Sequence, residues 1–312
     1  MIKIAVIGTK GGIGKTTLSL NIGCLLADMG LNVLLVDTDE KPSLSKALPI
    51  KQQAPHALSH ALVQGAVTAD CISEINLDGA PGTIDIVCSD SPETGLVNWL
   101  TARTGRVVRL KTALQCPDVR DHYDIVIIDT HGGDGVVQDA ACIAADLILT
   151  PVKPDVLSAA EFVDGTLSMI KELEEANHPV GTVKGVINCL RRSNNSRDIA
   201  DVVRQNFIKS GGRVSIMETT IPDLDIYQST LTEKRPVHRP PDPKIRKTPV
   251  SKREIESTLK ASQTMHALVW ELIPSLKGVY AGGLQDQDDT GSDGHAGDRV
   301  GDEPGAVEGG LQ

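Results

Sequence analysis

The segment Gly8-Thr9-Lys10-Gly11-Gly12-Ile13-Gly14-Lys15-Thr16-Thr17 follows directly on the apolar run Ile2–Ile7 and leads into a helix-period stretch, Thr16–Met29. A turn of the form G-x-x-x-x-G-K-[ST] between a buried strand and a helix constrains the chain more than any other feature: it demands an α/β sheet with the loop at a strand's carboxyl end. Each residue has a physical task there. Gly11, Gly12 and Gly14 permit backbone angles that turn successive N–H groups inward and leave room for phosphate oxygens. The helix beginning near Lys15 adds free N–H groups and the positive end of its dipole. Lys15 brings a cation to the β- and γ-phosphates, and the Thr16 hydroxyl suits Mg²⁺. Gly11, Gly12, Ile13, Gly14, Lys15, Thr16 and Thr17 are therefore the nucleotide-binding candidates, with ATP and Mg²⁺ as the expected ligands.

The rest of the chain reads as the fold this loop requires. Apolar runs suited to buried strands occur at Ile2–Ile7, Val33–Val36, Ile84–Val87, Ile125–Ile128, Leu147–Thr150, Val183–Ile187 and Val214–Met217. Helix-period segments lie between them at Thr16–Met29, Pro92–Leu100, Gly135–Ala144, Val156–Ala176 and Arg197–Lys209. This alternation predicts an α/β fold, a doubly wound and mostly parallel sheet covered on both faces. Aromatics make up 2% of the chain, so Val, Ile, Leu and Ala must build the core, as suits parallel strands. Cys24, Cys71, Cys88, Cys116, Cys142 and Cys189 form no C-x-x-C pair and read as reduced, small buried hydrophobes.

Ligands in open α/β sheets collect at the carboxyl ends of strands. Two of the apolar runs end there in aspartate: Val33–Val36 enters Asp37-Thr38-Asp39, and Ile125–Ile128 enters Asp129-Thr130. Asp129 has the form of a Walker B carboxylate. With Asp37 and Thr16 it makes the candidate metal set. Asp39 is placed to orient or polarise an attacking water.

Lys10 has no duty in an ordinary phosphate loop. With it, residues 10–16 match the K-G-G-x-G-K-[ST] signature at every fixed position, and the sequence resembles the ParA/MinD family of deviant-Walker P-loop ATPases. It is closest to short ParA-type members without an N-terminal helix-turn-helix. The resemblance implies that Lys10 reaches the partner's phosphates across a nucleotide-sandwich homodimer, making Lys10, Lys15 and Asp39 the catalytic set. It covers about residues 1–237. Asn188, at the end of a strand, matches the family's adenine-binding Asn, and Pro222 in Thr220-Ile221-Pro222-Asp223 matches its base-packing segment. The chain departs from the family's D-x-D-P-Q at Glu40 and Lys41, and from its D-T-P-P at His131 and Gly132. The implied function is partition of plasmid, mobile-element or chromosomal DNA by an ATP-hydrolysing dimer. Such a dimer binds DNA without sequence preference and answers to a centromere-binding partner that stimulates hydrolysis. The alternatives are an ATPase that positions a DNA-transfer complex and a metabolic P-loop ligase of the same superfamily.

Charge is unevenly spread. Residues 281–312 carry eight acids and one base, so most of the net charge of −10 lies in this Gly-rich stretch, which is expected to be disordered. The four expected regions are an ATPase domain (1–233), a basic Pro-rich connector (234–253), a C-terminal helix packing on the domain (254–280), and that tail (281–312). The helix, Glu254–Ile273, presents Leu259, Met265, Val269 and Leu272 at helical spacing. Cations available for phosphate contacts are Arg191, Arg192 and Arg197, and in the connector Lys234, Arg235, Arg239, Lys244, Arg246, Lys247, Lys252 and Arg253. The end of the chain is acidic rather than a basic amphipathic helix, so no membrane partner is expected. With no apolar run of spanning length and no signal peptide, the expected location is the bacterial cytoplasm, in association with the nucleoid.

Overall fold

The computed structural model describes residues 1–90, 96–209, 214–241 and 249–281. Nine strands form one sheet: β1 (Ile2–Val6), β2 (Val33–Asp37), β3 (Ile50–Gln52), β4 (Ser73–Ile75), β5 (Ile84–Val87), β6 (Ile125–Asp129), β7 (Leu147–Val152), β8 (Thr182–Leu190) and β9 (Val214–Pro222). Their spatial order is β3-β4-β5-β2-β6-β1-β7-β8-β9. All neighbours are parallel except β3 with β4 and β4 with β5. The seven expected strands are present, several of them longer than the apolar runs that marked them. The two additional strands are three residues each and form an antiparallel margin, too short to carry a periodic signal.

The parallel strands are apolar throughout because the sheet divides the core in two. Ile4 and Val6 of β1, Val33 and Leu35 of β2, and Ile125 and Ile127 of β6 point to one face. Their alternates Ala5, Leu34, Val36, Val126 and Ile128 point to the other. On the first face lies the helix Lys15–Asp28, through Leu18, Ile22, Leu25 and Leu26, joined by the C-terminal helix Lys252–Leu272. On the second lie the helices Leu58–Gln64, Arg109–Ala113 and Val136–Ala144 and the segment 156–175. β1 stands between β6 and β7, and chain order changes direction there, so the crevice above its carboxyl end is where such a sheet receives a ligand.

Three segments differ from the sequence expectation. The stretch Val156–Ala176 is not one α-helix: α-helical turns at Val156–Glu161 and Ser168–Glu175 flank a π-helical piece, Phe162–Leu167. The widened turn lets Thr166 reach the phosphate loop, its Oγ1 accepting from the Thr9 amide at 3.3 Å. The C-terminal helix starts at Lys252 because Ser251 caps it, accepting from the Glu254 amide at 3.2 Å. Its core-facing residues are Ala261, Met265, Leu268, Val269 and Leu272, whereas Leu259 is exposed.

The first part of the basic connector is structural rather than a free cationic strand. Val237 is fully buried and its amide donates to Asn21 Oδ1 at 2.8 Å. Arg239 and His238 converge on Asp28, a buried carboxylate at the end of the Lys15–Asp28 helix, with Arg239 Nε at 2.7 Å and His238 Nε2 at 2.6 Å. Arg235 holds Glu233 and the Arg239 carbonyl. These two arginines are thus committed within the fold. Lys244, Arg246 and Lys247, and the tail beyond Ala281, lie outside the described residues.

Candidate nucleotide site

The phosphate loop turns through Gly12 at φ 71° and Gly14 at φ 98°, the left-handed region that glycine enters without strain. A Cβ on Gly14 would also strike the amide nitrogen of Asn188. The helix begins at the next residue, so its first N–H groups face the crevice. Lys15 is buried, and its Nζ donates to the carbonyls of Gly8 (3.0 Å) and Lys10 (3.1 Å), closing the loop on itself. Burial holds the Lys15 ammonium below its usual pKa range, against the pull of Asp129 and Asp39.

The strand-end aspartates meet beside this lysine. Asp37 and Asp129 are directly paired across β2 and β6, and both are fully buried. Burial, reinforced by Asp37, pushes the Asp129 carboxyl up to about 7, with the Ser19 and Thr16 hydroxyls and Lys15 pulling the other way. Ser19 Oγ donates to Asp129 Oδ1 at 2.8 Å, while Oδ2 is buried without a hydrogen-bond partner among the described residues. Burial likewise raises Asp37 to about 6, against hydrogen bonds from the Ser45 amide (2.9 Å) and hydroxyl (2.7 Å). Two buried carboxylates that resist ionisation, one with an orphaned oxygen, fit a divalent cation beside the phosphate cradle. Asp39 is half-buried on the turn after β2, accepting from the Lys41 amide at 2.9 Å.

The loop after β6 closes the other wall. Gly132 lies against the phosphate loop so tightly that a Cβ there would stand 2.6 Å from Gly11 Cα and 2.7 Å from Gly11 N. Buried Gln138 ends against this loop, and its side-chain amide, turned to donate, reaches the carbonyls of Gly133 (2.6 Å) and His131 (3.2 Å). The departure from D-T-P-P thus has a steric reason: a ring does not fit where Gly132 approaches Gly11.

Lys10 folds back on its own chain. Its Nζ donates to Ser158 Oγ at 2.8 Å and pairs with Asp155 Oδ1 at 3.3 Å. Asp155 caps the following helix, accepting from the Ser158 amide at 2.8 Å, and this D-x-x-S pattern was the legible signal for a pair that sequence reasoning missed. Next to that cap, Val156 and Leu157 are 70% and 74% exposed.

The remaining candidates separate. Asn188 is at the site: its Nδ2 donates to the Ile13 carbonyl at 2.6 Å. Pro222 ends β9, paired with Leu190 two residues beyond Asn188. Arg191 and Arg192 are exposed beyond β8, and Arg191 Nε pairs with Asp223 at 2.9 Å, so part of its charge is spent locally. Ser19, Ser45, Thr166 and Gln138 are further residues that shape the site and that the motif alone did not reveal. Of these, Ser19 carried a signal, a hydroxyl one turn after Thr16 on the same helix face.

Comparison with known proteins gives the family and the fold. Residues 1–180 match the family model described as an AAA domain. The Soj protein of Bacillus subtilis, a sporulation initiation inhibitor, is 31% identical over 225 residues, 70% of this chain and 83% of that protein. The chromosome partitioning protein ParA of Caulobacter vibrioides is 29% identical over 207 residues, covering 65% and 76%. The ATP complex of a Cyanothece McdA variant superposes with a TM-score of 0.66 at 18% identity, over 86% of this chain and 96% of that one. Among the described residues no helix is long and apolar enough to cross a membrane.

Proposed function

This chain belongs to the ParA/MinD family of P-loop ATPases, and on that premise we propose that it is a dimerising ATP switch that partitions DNA. The observation that carries the proposal is the position of Lys10. It sits on the phosphate loop, its ammonium held among the described residues by a half-exposed ion pair with Asp155 and by the Ser158 hydroxyl, beside the exposed Val156 and Leu157. A lysine held by a weak surface pair is free to exchange it for a phosphate of a facing subunit, where charge-assisted contacts are stronger. The apolar pair supplies area for that face to close on a second copy.

Within one subunit, the inward N–H groups of Gly11–Thr17 and the helix end bind the phosphates, and Lys15 exchanges its two carbonyl partners for β- and γ-phosphate oxygens. Thr16 and Asp129, with Asp37 behind them, would hold Mg²⁺, which when bound neutralises charge on the phosphates. Asp39 orients the attacking water, and Asn188 and Pro222 border the base. ATP hydrolysis to ADP and phosphate removes the contacts that Lys10 makes across the dimer, and the faces separate.

The proposed cargo is DNA bound without sequence preference by the ATP dimer, which doubles a weak cationic surface into an avid one. Arg191, Arg192 and the connector lysines Lys244 and Lys247 with Arg246 are the proposed contacts, and a centromere-binding protein is the proposed stimulator of hydrolysis. The test is retention of the protein on duplex DNA with ATP, ADP or neither, across a salt series. Retention that needs ATP and falls steeply with salt supports the reading. Retention independent of nucleotide, or ATP turnover stimulated by a small carboxylic acid and not by DNA, replaces it with a metabolic ligase.

A further inference from the structure

Away from the nucleotide site, His56, His60 and Asp70 are brought together by the fold and left without a task. We propose that they form a surface site for a divalent transition cation of the Zn²⁺ type. One ring nitrogen from each histidine and one Asp70 oxygen all lie within 4.8 Å of one another. The two imidazoles are stacked, 3.8 Å between centroids and 9° from parallel, which keeps them side by side, and a shared ion requires one ring to turn until its in-plane lone pair meets that of the other. His56 Nε2 stands 3.8 Å from Asp70 Oδ2. Zn²⁺ bonds of roughly 2.0–2.2 Å to N and O require donors about 3.3 Å apart in a tetrahedron, so binding would unstack the two rings and draw the three donors together.

The backbones that carry the three residues are fixed. The His56 amide donates to the Asp70 carbonyl at 3.1 Å, tying two of the three together. His60 lies on the helix Leu58–Gln64, whose Leu58, Ala61 and Leu62 are buried and whose Ser59 hydroxyl is held by Asp90 at 2.6 Å. Asp70 lies on a 3₁₀ turn, Ala69–Cys71, anchored by fully buried Cys71. The Thr68 hydroxyl donates to Asp70 Oδ1, leaving Oδ2 as the oxygen that faces His56. A ligating carboxylate with its other oxygen hydrogen-bonded is the outer-shell arrangement that orients metal ligands. Two imidazoles and one carboxylate favour Zn²⁺, Ni²⁺, Cu²⁺ or Co²⁺ over Mg²⁺, so the site is chemically distinct from the oxygen-only set beside the phosphates. A bound ion would staple the loop before the helix, the helix itself and the 3₁₀ turn at the sheet margin.

The experiment is titration of the chelator-treated, nucleotide-free full chain with Zn²⁺, and with Co²⁺ followed by its visible absorption, in the presence of excess Mg²⁺. One equivalent is expected to bind without competition from Mg²⁺. His60→Ala and the double substitution His56→Ala/His60→Ala are expected to weaken binding by more than the ~10–100-fold typical of outer-shell changes. Thermal unfolding of the metal-free variants should match that of the parent, because all three side chains are exposed. A second arm uses the unaltered protein: Zn²⁺ should shield both histidines from acylation by diethyl pyrocarbonate. Absence of a stoichiometric site, equal affinity in the double variant, or acylation unaffected by Zn²⁺ overturns the proposal.

Discussion

Substituting Gly132 by alanine adds one methyl group at the tightest contact of the nucleotide site. The new Cβ would meet Gly11 Cα at 2.6 Å, Gly11 N at 2.7 Å and the Lys10 carbonyl carbon at 3.0 Å, all backbone atoms. Restoring ordinary contact needs a movement of about 1 Å. No flexible side chain can absorb it, and buried Gln138 packs against the carbonyls on both sides of Gly132, within donating reach of each. The phosphate loop is the part that yields, which moves the amides of Gly11 and Gly12 and the ammonium of Lys10 off the phosphate positions. A displacement of that size costs on the order of 100-fold, or ~2.7 kcal/mol, when it falls on groups that position a reacting phosphate. The assay is steady-state ATP turnover, with affinity for a fluorescent ATP analogue measured alongside. The comparison variant is Asp134→Ala, two residues along the same loop at an exposed position. We expect kcat/KM to fall by about two orders of magnitude in Gly132→Ala and by less than about threefold in Asp134→Ala. Turnover within a few-fold of the parent in Gly132→Ala would refute the reasoning, because it would mean that the two loops do not touch as described.

Other outcomes follow from the same contacts. Lys15→Ala removes the buried ammonium from the cradle, and equilibrium dialysis should find ATP affinity down by more than about 100-fold. Asp39→Ala leaves the cradle and both buried carboxylates intact, so it should retain ATP while single-turnover hydrolysis drops by at least about 100-fold; wild-type hydrolysis would remove Asp39 from the mechanism. Asp28→Ala strands Arg239 and His238 around a missing buried carboxylate, and denaturant unfolding should show a loss of about 3 kcal/mol. Stability should also fall on acidification in two stages. Burial holds His238 below 6.5, so the unfolded chain gains its proton first and the folded state weakens as pH drops below that value. Burial alone would raise Asp28, but hydrogen bonds from Arg239 and His238 hold it below 3.8, so its contribution is lost only as pH falls further through the folded value. Unfolding curves that are flat between neutrality and pH 5 would contradict the His238 part.

The central strands were legible because burial on both faces makes each a continuous apolar run, and the phosphate loop because its glycines and lysines are set by backbone geometry. Asp37 and Asp129 were legible for a related reason, since each ends such a run. β3 and β4 were not, because three residues at a margin bury little and show no period. The π-helical piece was invisible because its cause is tertiary: Thr166 and Gly165 approach Thr9, far away in sequence. Arg235 and Arg239 looked like free cations because a run of Lys, Arg and Pro is usually solvated, whereas here they pair with Glu233 and with buried Asp28. The resting partners of Lys10, Asp155 and Ser158, are some 145 residues along the chain, so no local pattern linked them to it.

The most direct measurement of the central claim is a calorimetric titration of the intact chain with ATP in the presence of Mg²⁺. Saturable uptake of one nucleotide per chain, weakened when Mg²⁺ is removed, is the expected result. No uptake, or uptake unchanged in Lys15→Ala, would contradict the assignment of residues 8–17 as a phosphate cradle, and with it the switch built on that cradle.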